Sequence, residues 1–491
     1  MTNGAELIRR ELTVRLVRAF DGGRLEEEID RIPVLMRPRG GPCSRSSVWH
    51  DRAVLKYRLM ALMGFSCEAE EDESRTLRSY LEEMKEAPPP RGDPLTVCSA
   101  GCDGCRQRAF MVTDNCRGCF ARPCAWNCPA GAVSVERMHA SIDPAKCVRC
   151  GKCAGVCPYR AIVEVTVPCE AACPVGAIRK DENGQARIDF AKCIFCGACF
   201  SSCPFSAIME KSQLVQLLYA LRDGERVTAV VAPSAAWQFE GTVEQLFAAI
   251  RGLGFDDTIE VARGAELTTE HEAREFVERM KGGARLMTTS CCPSWVNLAR
   301  KHVPQALPFV SDTPSPMAFA ADIARERRPG NRVAFIGPCI AKRDEALRRG
   351  SVDYVVSFEE LGAVFEARGI VPSALAPAKL DRPAREDARN YARSCGVTES
   401  VLQGLASELP EGFRLDAKYV DGLDRRSVAQ IRLYASGRLP CNFLEVMSCR
   451  GGCVSGPCSA FRQVKKTPSA GGDVGEPSPL SSNAWTPSAS A

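Results

Sequence analysis

Apolar residues recur at three- and four-residue spacings from Ala5 to Phe20 and from Ala53 to Gly64, which predicts amphipathic helices within residues 1–90. No candidate chemistry accompanies them. The run Ala87-Pro88-Pro89-Pro90-Arg91-Gly92 breaks that pattern and reads as a linker. After residue 225 the texture alternates: RVTAVVAP reads as a strand, 242–253 as a helix, TIEVAR as a strand and 269–280 as a helix. Such alternation predicts an α/β domain over 225–463. Three strand-like runs there end in cysteine, LMTTSCC at Cys292, VAFIGPC at Cys339 and FLEVMSC at Cys449. Thiols at the C-terminal ends of neighbouring strands would converge on one crevice. From Val464 the chain is rich in Pro, Ser, Gly and Ala, so 464–491 reads as a disordered tail.

Length and charge narrow the picture a little. A chain of 491 residues suggests two to four domains. Its 64 basic and 60 acidic side chains leave a formal charge of +4, too even to point to nucleic acid or an anionic membrane as partner. No run of 18 apolar residues predicts a membrane span. The start shows no apolar core of a secretory signal, and Arg9-Arg10 is followed by a charged amphipathic pattern, so a cytoplasmic location is expected.

Cysteine changes the picture a great deal. Of 27 cysteines, 17 fall between Cys98 and Cys203, and in a reducing compartment such thiols are metal ligands rather than bridges. They form an internal repeat. Cys124 and Cys128 recur 45 residues on as Cys169 and Cys173, while Cys147, Cys150, Cys153 and Cys157 recur 46 residues on as Cys193, Cys196, Cys199 and Cys203. The spacing C-x2-C-x2-C-x3-C-P, present twice, is the bacterial ferredoxin run, in which three thiolates hold one [4Fe-4S] cubane and the fourth crosses to another. Residues 95–212 therefore read as an α+β, ferredoxin-like tandem module. One cubane would take Cys147, Cys150 and Cys153 with Cys128; a second Cys116, Cys119 and Cys124 with Cys157; a third Cys193, Cys196 and Cys199 with Cys173. Cys169 and Cys203 would complete a fourth only with two of Cys98, Cys102 and Cys105, and the spacing leaves open whether those three are loose thiols.

In the last domain, TTSCCPSW (288–295), GPCIAKRDE (337–345) and EVMSCRGGCVSG (445–456) resemble the three signature motifs of the [FeFe]-hydrogenases, closest to the monomeric group B type. The resemblance implies an α/β catalytic domain of two lobes around a cleft. It implies an H-cluster, a cubane linked to a two-iron subsite with CO, CN and dithiolate ligands, fed by three or four accessory [4Fe-4S] clusters. Carried over by motif, it makes Cys292, Cys339, Cys449 and Cys453 the cubane ligands, with Cys453 also bridging to the two-iron subsite, and Cys291 the proton donor. Lys342 and Glu345 match the basic and acidic positions of the second motif; Pro233, Ser234 and Met447 match the wall of the subsite. Glu272, Glu275 and Arg279 match the proton path, with Ser311 as a link. On the residues alone, Lys342 and Glu345 could be a surface pair on a helix, and Glu272, Glu275 and Arg279 a solvated helical face. A thiol at the reference pKa of about 8.5 would suit proton relay at Cys291.

Two departures stand out. Gly337 occupies a place where many hydrogenases have methionine, and the third motif ends Ser455-Gly456-Pro457-Cys458, which is expected to loosen the subsite pocket. The resemblance implies reversible H2 oxidation and proton reduction, with a ferredoxin-like electron carrier and dedicated H-cluster maturation enzymes as partners. The rival readings are an H2 sensor and a non-catalytic iron–sulfur assembly or electron-transfer protein.

Overall fold

The computed structural model describes residues 4–87, 92–102, 104–105, 109–405 and 415–459; the Pro-rich stretch 88–91 and the tail from Val464 lie outside the described residues. The N-terminal helices are Gly4–Asp21, Val48–Leu62 and Leu77–Glu86, the latter two opened by Ser47 and Thr76, whose hydroxyls accept from His50 N and Ser79 N. Their apolar stripes, including Leu12, Leu16, Leu59 and Leu81, pack into the same core as the parallel sheet described below. Arg9 ties this layer to both other parts of the chain, reaching Glu359 at 2.7 Å and Ser206 Oγ at 2.5 Å.

The cysteine-rich module carries short antiparallel pairs. Its strands are β1 Leu95–Val97, β2 Ala109–Val112, β3 Val133–Glu136, β4 His139–Ile142, β5 Ile162–Val165, β6 Ile178–Lys180, β7 Ala186–Ile188 and β8 Ile208–Glu210. β3 pairs with β4 and β6 with β7, so the sequence repeat is also a repeat of hairpins, while β2 pairs with β5 and β1 with β8.

Two parallel sheets follow, built from β9 Val227–Val231, β10 Asp257–Glu260, β11 Met287–Thr288, β12 Arg332–Ile336, β13 Tyr354–Val356, β14 Ala417–Asp421 and β15 Phe443–Met447. One sheet has the order β10-β9-β12-β13 and the other β11-β15-β14. All five residues of β9 and of β15 are buried, as expected of strands covered on both faces. The three cysteine-ending runs are therefore not all neighbours. β11 and β15 pair with each other, but β12 lies in the other sheet, so the thiols meet between two sheets rather than along one edge.

The helix expected over 269–280 begins eight residues earlier and spans Val261–Lys281. TIEVAR is divided, its first three residues ending β10 and its last three opening the helix. Apolar positions Val261, Ala262, Ala265, Ala273 and Phe276 are buried at helical spacing, and Glu260, extended at the junction, is held by Arg389 at 2.7 Å. No helix among the described residues is long and apolar enough to cross a membrane.

Candidate active site and thiol clusters

A cavity of about 80 Å³ opens where the ends of the two sheets face each other. Cys291 and Cys292 follow β11, Cys339 follows β12, and Cys449 and Cys453 follow β15; all five line the cavity. Burial pushes Cys339 up to about 11 and Cys453 up to about 12, and the neighbouring thiols Cys292 and Cys339 add to the effect on Cys453. Cys449 is raised by burial and then by Cys339, Cys453, Cys292 and also Cys196. Cys196 belongs to the ferredoxin-like module yet lines the same cavity.

Cys291 is different in kind. Burial raises its thiol well above the ordinary value, followed by the charge of Glu272, so the reference value assumed from sequence does not hold and the group is kept protonated. Lys342 Nζ lies 3.5 Å from the Cys291 carbonyl oxygen, 3.0 Å from Ser315 Oγ and 2.6 Å from Glu345 Oε2. Ser315 Oγ donates to Glu345 Oε1 at 2.6 Å. Lys342 and Glu345 are both buried, which rules out the surface-pair reading. Burial opposes both charges, but each partner outweighs it, holding Lys342 above and Glu345 below their ordinary values. Pro233, Ser234 and Met447 line the cavity as expected, and Ser234 Oγ is buried with no hydrogen-bond partner.

Glu272 is fully buried rather than part of a solvated face. Its Oε1 accepts from Ser290 N at 3.1 Å, its Oε2 has no partner, and burial pushes it up to about 8. Glu275 accepts from Ser311 Oγ at 2.5 Å, Thr313 Oγ1 at 2.8 Å and Asp312 N at 2.9 Å, and pairs with Arg279 at 2.6 Å. Burial works against Glu275, and these donors hold it below its ordinary value. Arg279 goes on to the exposed Asp312 at 2.9 Å. The acids thus run from the neighbourhood of Cys291 to the surface, with Ser311 bonded to the outer one.

Three residues escaped the sequence reading. Tyr391 lines the cavity, with its hydroxyl 2.9 Å from Thr269 Oγ1; nothing local marks it. Glu445, buried in β15, accepts from Cys395 N at 2.9 Å and Thr398 N at 2.8 Å, and an acid inside the apolar run FLEVM was the signal for it. Phe335 is the third, and it overturns the expected loosening at Gly337. A Cβ at Gly337 would stand 2.5 Å from the Phe335 ring, which lines the cavity and fills that space from two residues back along β12. At the end of the third motif, the Cys458 thiol is buried and donates to Glu210 Oε2 at 3.3 Å.

In the cysteine-rich module the sulfurs accept backbone N–H groups: Cys116 from Ala140, Cys128 from Ala132, Cys157 from Ala161 and Cys173 from Ala177, all at 3.2–3.4 Å. Cys124 is raised by burial, with Cys119 and Cys157 as neighbouring thiols, and Cys153 likewise, with Cys147 and Cys128 beside it. Cys199 has Cys196, Cys193 and Cys173. Cys150 is exposed on the same loop as Cys147 and Cys153. The Cys169 thiol is pushed up to about 12 by burial and then by Cys203, Cys102 and Cys105. Cys98 is fully buried in a different core, together with Cys67. Among the described residues no three candidate ligands meet tightly enough for a single ion. Thiolates around a cubane stand further apart, because each binds a different iron.

Residues 225–457 match the family model for the iron only hydrogenase large subunit, C-terminal domain. Residues 167–207 match a 4Fe-4S dicluster domain and 140–163 a 4Fe-4S binding domain. The chain is an iron–sulfur protein, with 4Fe-4S ferredoxin domains ahead of a hydrogenase-type domain. More particularly, it is an [FeFe]-hydrogenase-like protein. It is 28% identical over 387 residues to the periplasmic [Fe] hydrogenase large subunit of Nitratidesulfovibrio vulgaris, covering 67% of this chain and 88% of that one. It is 27% identical over 256 residues to iron hydrogenase 1 of Clostridium pasteurianum, covering 43% of this chain and 44% of that one. Cytosolic iron-sulfur assembly component 3 of Bos taurus is 26% identical over 268 residues, 44% of this chain and 56% of its own. The solved structure of a variant of [FeFe]-hydrogenase HydA1 from Chlamydomonas reinhardtii aligns with a TM-score of 0.44 at 22% identity, over 52% of this chain and 86% of that one.

Proposed function

We propose that this chain interconverts H2 with protons and electrons at an H-cluster, as a monomeric hydrogenase of the group B type. The observation that carries the reading is one buried cavity holding four mutually close thiols, a fifth thiol of different environment, and the buried cation of Lys342. The donor set fits the group. Cys292, Cys339, Cys449 and Cys453 would hold the cubane, Cys453 also reaching the two-iron subsite. A space of 80 Å³, against ~10–15 Å³ for one water, leaves room for a polyatomic group. The orphaned Ser234 Oγ and the Lys342 ammonium offer donors to its anionic ligands, and Pro233, Met447 and Phe335 keep the wall apolar.

When bound, the two-iron subsite supplies the centre where the H–H bond is made or broken. The protein's own part is to move protons, exclude water and hold the group. Cys291 carries the proton at its Sγ and passes it to Glu272, whose raised pKa near 8 lets it both take and release a proton at neutral pH. Glu275, Ser311 and Arg279 continue the route to the surface. Glu345 fixes the Lys342 ammonium in place, so that a charge buried in an apolar wall is paired. Accessory cubanes would be held by Cys116, Cys119, Cys124 and Cys157; by Cys128, Cys147, Cys150 and Cys153; and by Cys173, Cys193, Cys196 and Cys199, and would supply one-electron redox centres for the relay. Cys196, beside Cys449, would bring the third of these groups next to the cavity. A ferredoxin-like carrier at the module, maturation enzymes for the two-iron subsite, and a cytoplasmic location complete the proposal, with residues 1–90 a supporting layer, 95–212 the relay and 225–463 the catalytic part.

The resemblance to an iron–sulfur assembly component at 26% identity supports a second reading, a cubane holder without H2 chemistry. The infrared spectrum of the matured protein separates them, since iron-bound CO and CN absorb where protein does not. Their bands together with H2 uptake through an artificial dye are expected; matured protein lacking both would leave the assembly reading standing.

A further inference from the structure

The dicluster match at 167–207 contains six cysteines, two fewer than two cubanes need. The first repeat has its full set because Cys116 and Cys119 precede it, whereas nothing at the corresponding place before Cys169 is a cysteine. The structure shows what takes their place. In the first repeat, Ala140 N of the β3–β4 hairpin donates to Cys116 Sγ at 3.3 Å. Moved by the repeat offset of 46 residues, Ala140 becomes Ala186 of the β6–β7 hairpin, and Ala186 N donates to Cys102 Sγ at 3.2 Å. The remaining contacts correspond in the same way: Cys157 and Cys203 accept from Ala161 N and Ala207 N, both at 3.4 Å. Cys102 and Cys105 also have the spacing of Cys116 and Cys119.

Strand pairing explains how a segment so far upstream arrives there. β1 lies antiparallel to β8 with Val97 opposite Ile208, so the chain leaving β1 runs beside the chain entering β8, which carries Cys203. Gly101 stacks on Ala207 and Gly104 meets the Phe205 ring. We infer that Cys102, Cys105, Cys169 and Cys203 hold a fourth accessory [4Fe-4S] cluster, the second repeat's counterpart of the cubane on Cys116, Cys119, Cys124 and Cys157. Cys98 is not part of it: it sits in the N-terminal core beside Cys67, its sulfur accepting from Gly101 N at 3.3 Å. The surroundings suit an anionic occupant. Lys180 Nζ lies 3.4 Å from Cys102 Sγ, and the buried Arg58, which donates to the Phe205 and Ser206 carbonyls beside Cys203, has two further guanidinium nitrogens without a partner.

This inference rests on the cubane-binding reading of the module and not on H2 chemistry, so it is tested on full-length protein with its cubanes reconstituted. Iron and sulfide are counted per chain, with EPR of the reduced and oxidised protein. Cys102→Ala and Cys105→Ala are each expected to lose about four irons, or one iron with the appearance of a three-iron signal; Cys98→Ala is expected to lose none. Cys116→Ala is the control. If it loses iron while Cys102→Ala and Cys105→Ala match wild type, the fourth site is wrong; if it loses none either, the module reading itself falls. Should the variants fold poorly, alkylation of the wild-type holoprotein decides: Cys105 is expected to resist while the exposed Cys43 reacts, and to become reactive when iron is chelated. Reaction of Cys105 at the rate of Cys43 before chelation would overturn the assignment.

Discussion

The first ferredoxin repeat and the cavity between the two sheets both gather cysteines, and one sulfur of the repeat, Cys128, is prepared in the opposite way from those of the cavity, while Cys124 and Cys153 are raised by burial as the cavity thiols are. In the repeat, a turn of backbone N–H groups from Ala130 to Val133 overcomes burial and draws the Cys128 thiol below its ordinary value. In the cavity burial wins, so that Cys292, Cys339, Cys449 and Cys453 are all raised and stay protonated until metal arrives. Metal binding needs thiolates, so each raised cavity thiol must give up its proton on loading, whereas the backbone N–H groups around Cys128 favour its thiolate beforehand.

The largest expected effect separates the two regions outright. Cys292→Ala is expected to abolish the CO and CN infrared bands and all H2 turnover, because the buried cubane loses a ligand. Cys150→Ala, on the exposed loop, is expected to remove one accessory cubane by iron count and leave those bands in place. Next comes Cys291→Ala, which on the proposed mechanism removes a proton carrier and no ligand. Turnover should fall by ~10²- to 10⁴-fold with the infrared bands intact, and Cys291→Asp should recover more of it than Cys291→Ser. Near-normal turnover in Cys291→Ala would mean that protons take another route.

Glu272→Gln sharpens the comparison through pH. A carboxyl whose folded-state pKa lies near 8, above its unfolded value, contributes stability that is complete below about 4.5 and is lost as pH rises through 8. Glutamine cannot ionise. The melting temperature of wild type should therefore drop relative to Glu272→Gln between pH 5 and pH 9, while turnover in the variant falls; parallel melting curves across that range would show that Glu272 is not held neutral. The smallest effect is at Gly337. Gly337→Met should destabilise by about 1–3 kcal/mol through overlap with Phe335, and the double variant with Phe335→Ala should recover most of it in thermal unfolding.

What the sequence made legible follows from distance along the chain. The ferredoxin-type spacing of thiols on one tight loop, such as Cys147, Cys150 and Cys153, is legible from the sequence alone, and residues 140–163 match a 4Fe-4S binding domain. Strand-to-cysteine runs marked where the cavity thiols would lie, but not that β12 belongs to a different sheet from β11 and β15. Cys102 could not be told from Cys98 without the hydrogen bond from Ala186, more than eighty residues away. Tyr391 and Phe335 act by filling space in a cavity whose other walls come from distant segments, and no local pattern encodes that. The start of the helix at Val261 was misplaced because no Gly or Pro separates it from β10.

The contact between Gly197 and Pro457 has a consequence for the order of events as the protein is built. Gly197, at φ 75° in the loop between Cys196 and Cys199, has no side chain, and a Cβ there would sit 2.7 Å from the Pro457 ring. Pro457 closes the third motif, directly after Gly456, which packs on Pro338 beside Cys339. The loop of Cys196 and Cys199 is thus a seat on which the last turn of the hydrogenase-type domain comes to rest. A nascent chain emits the seat first and the turn some 260 residues later, so the far end of the hydrogenase-type domain comes to rest on a loop made well before it.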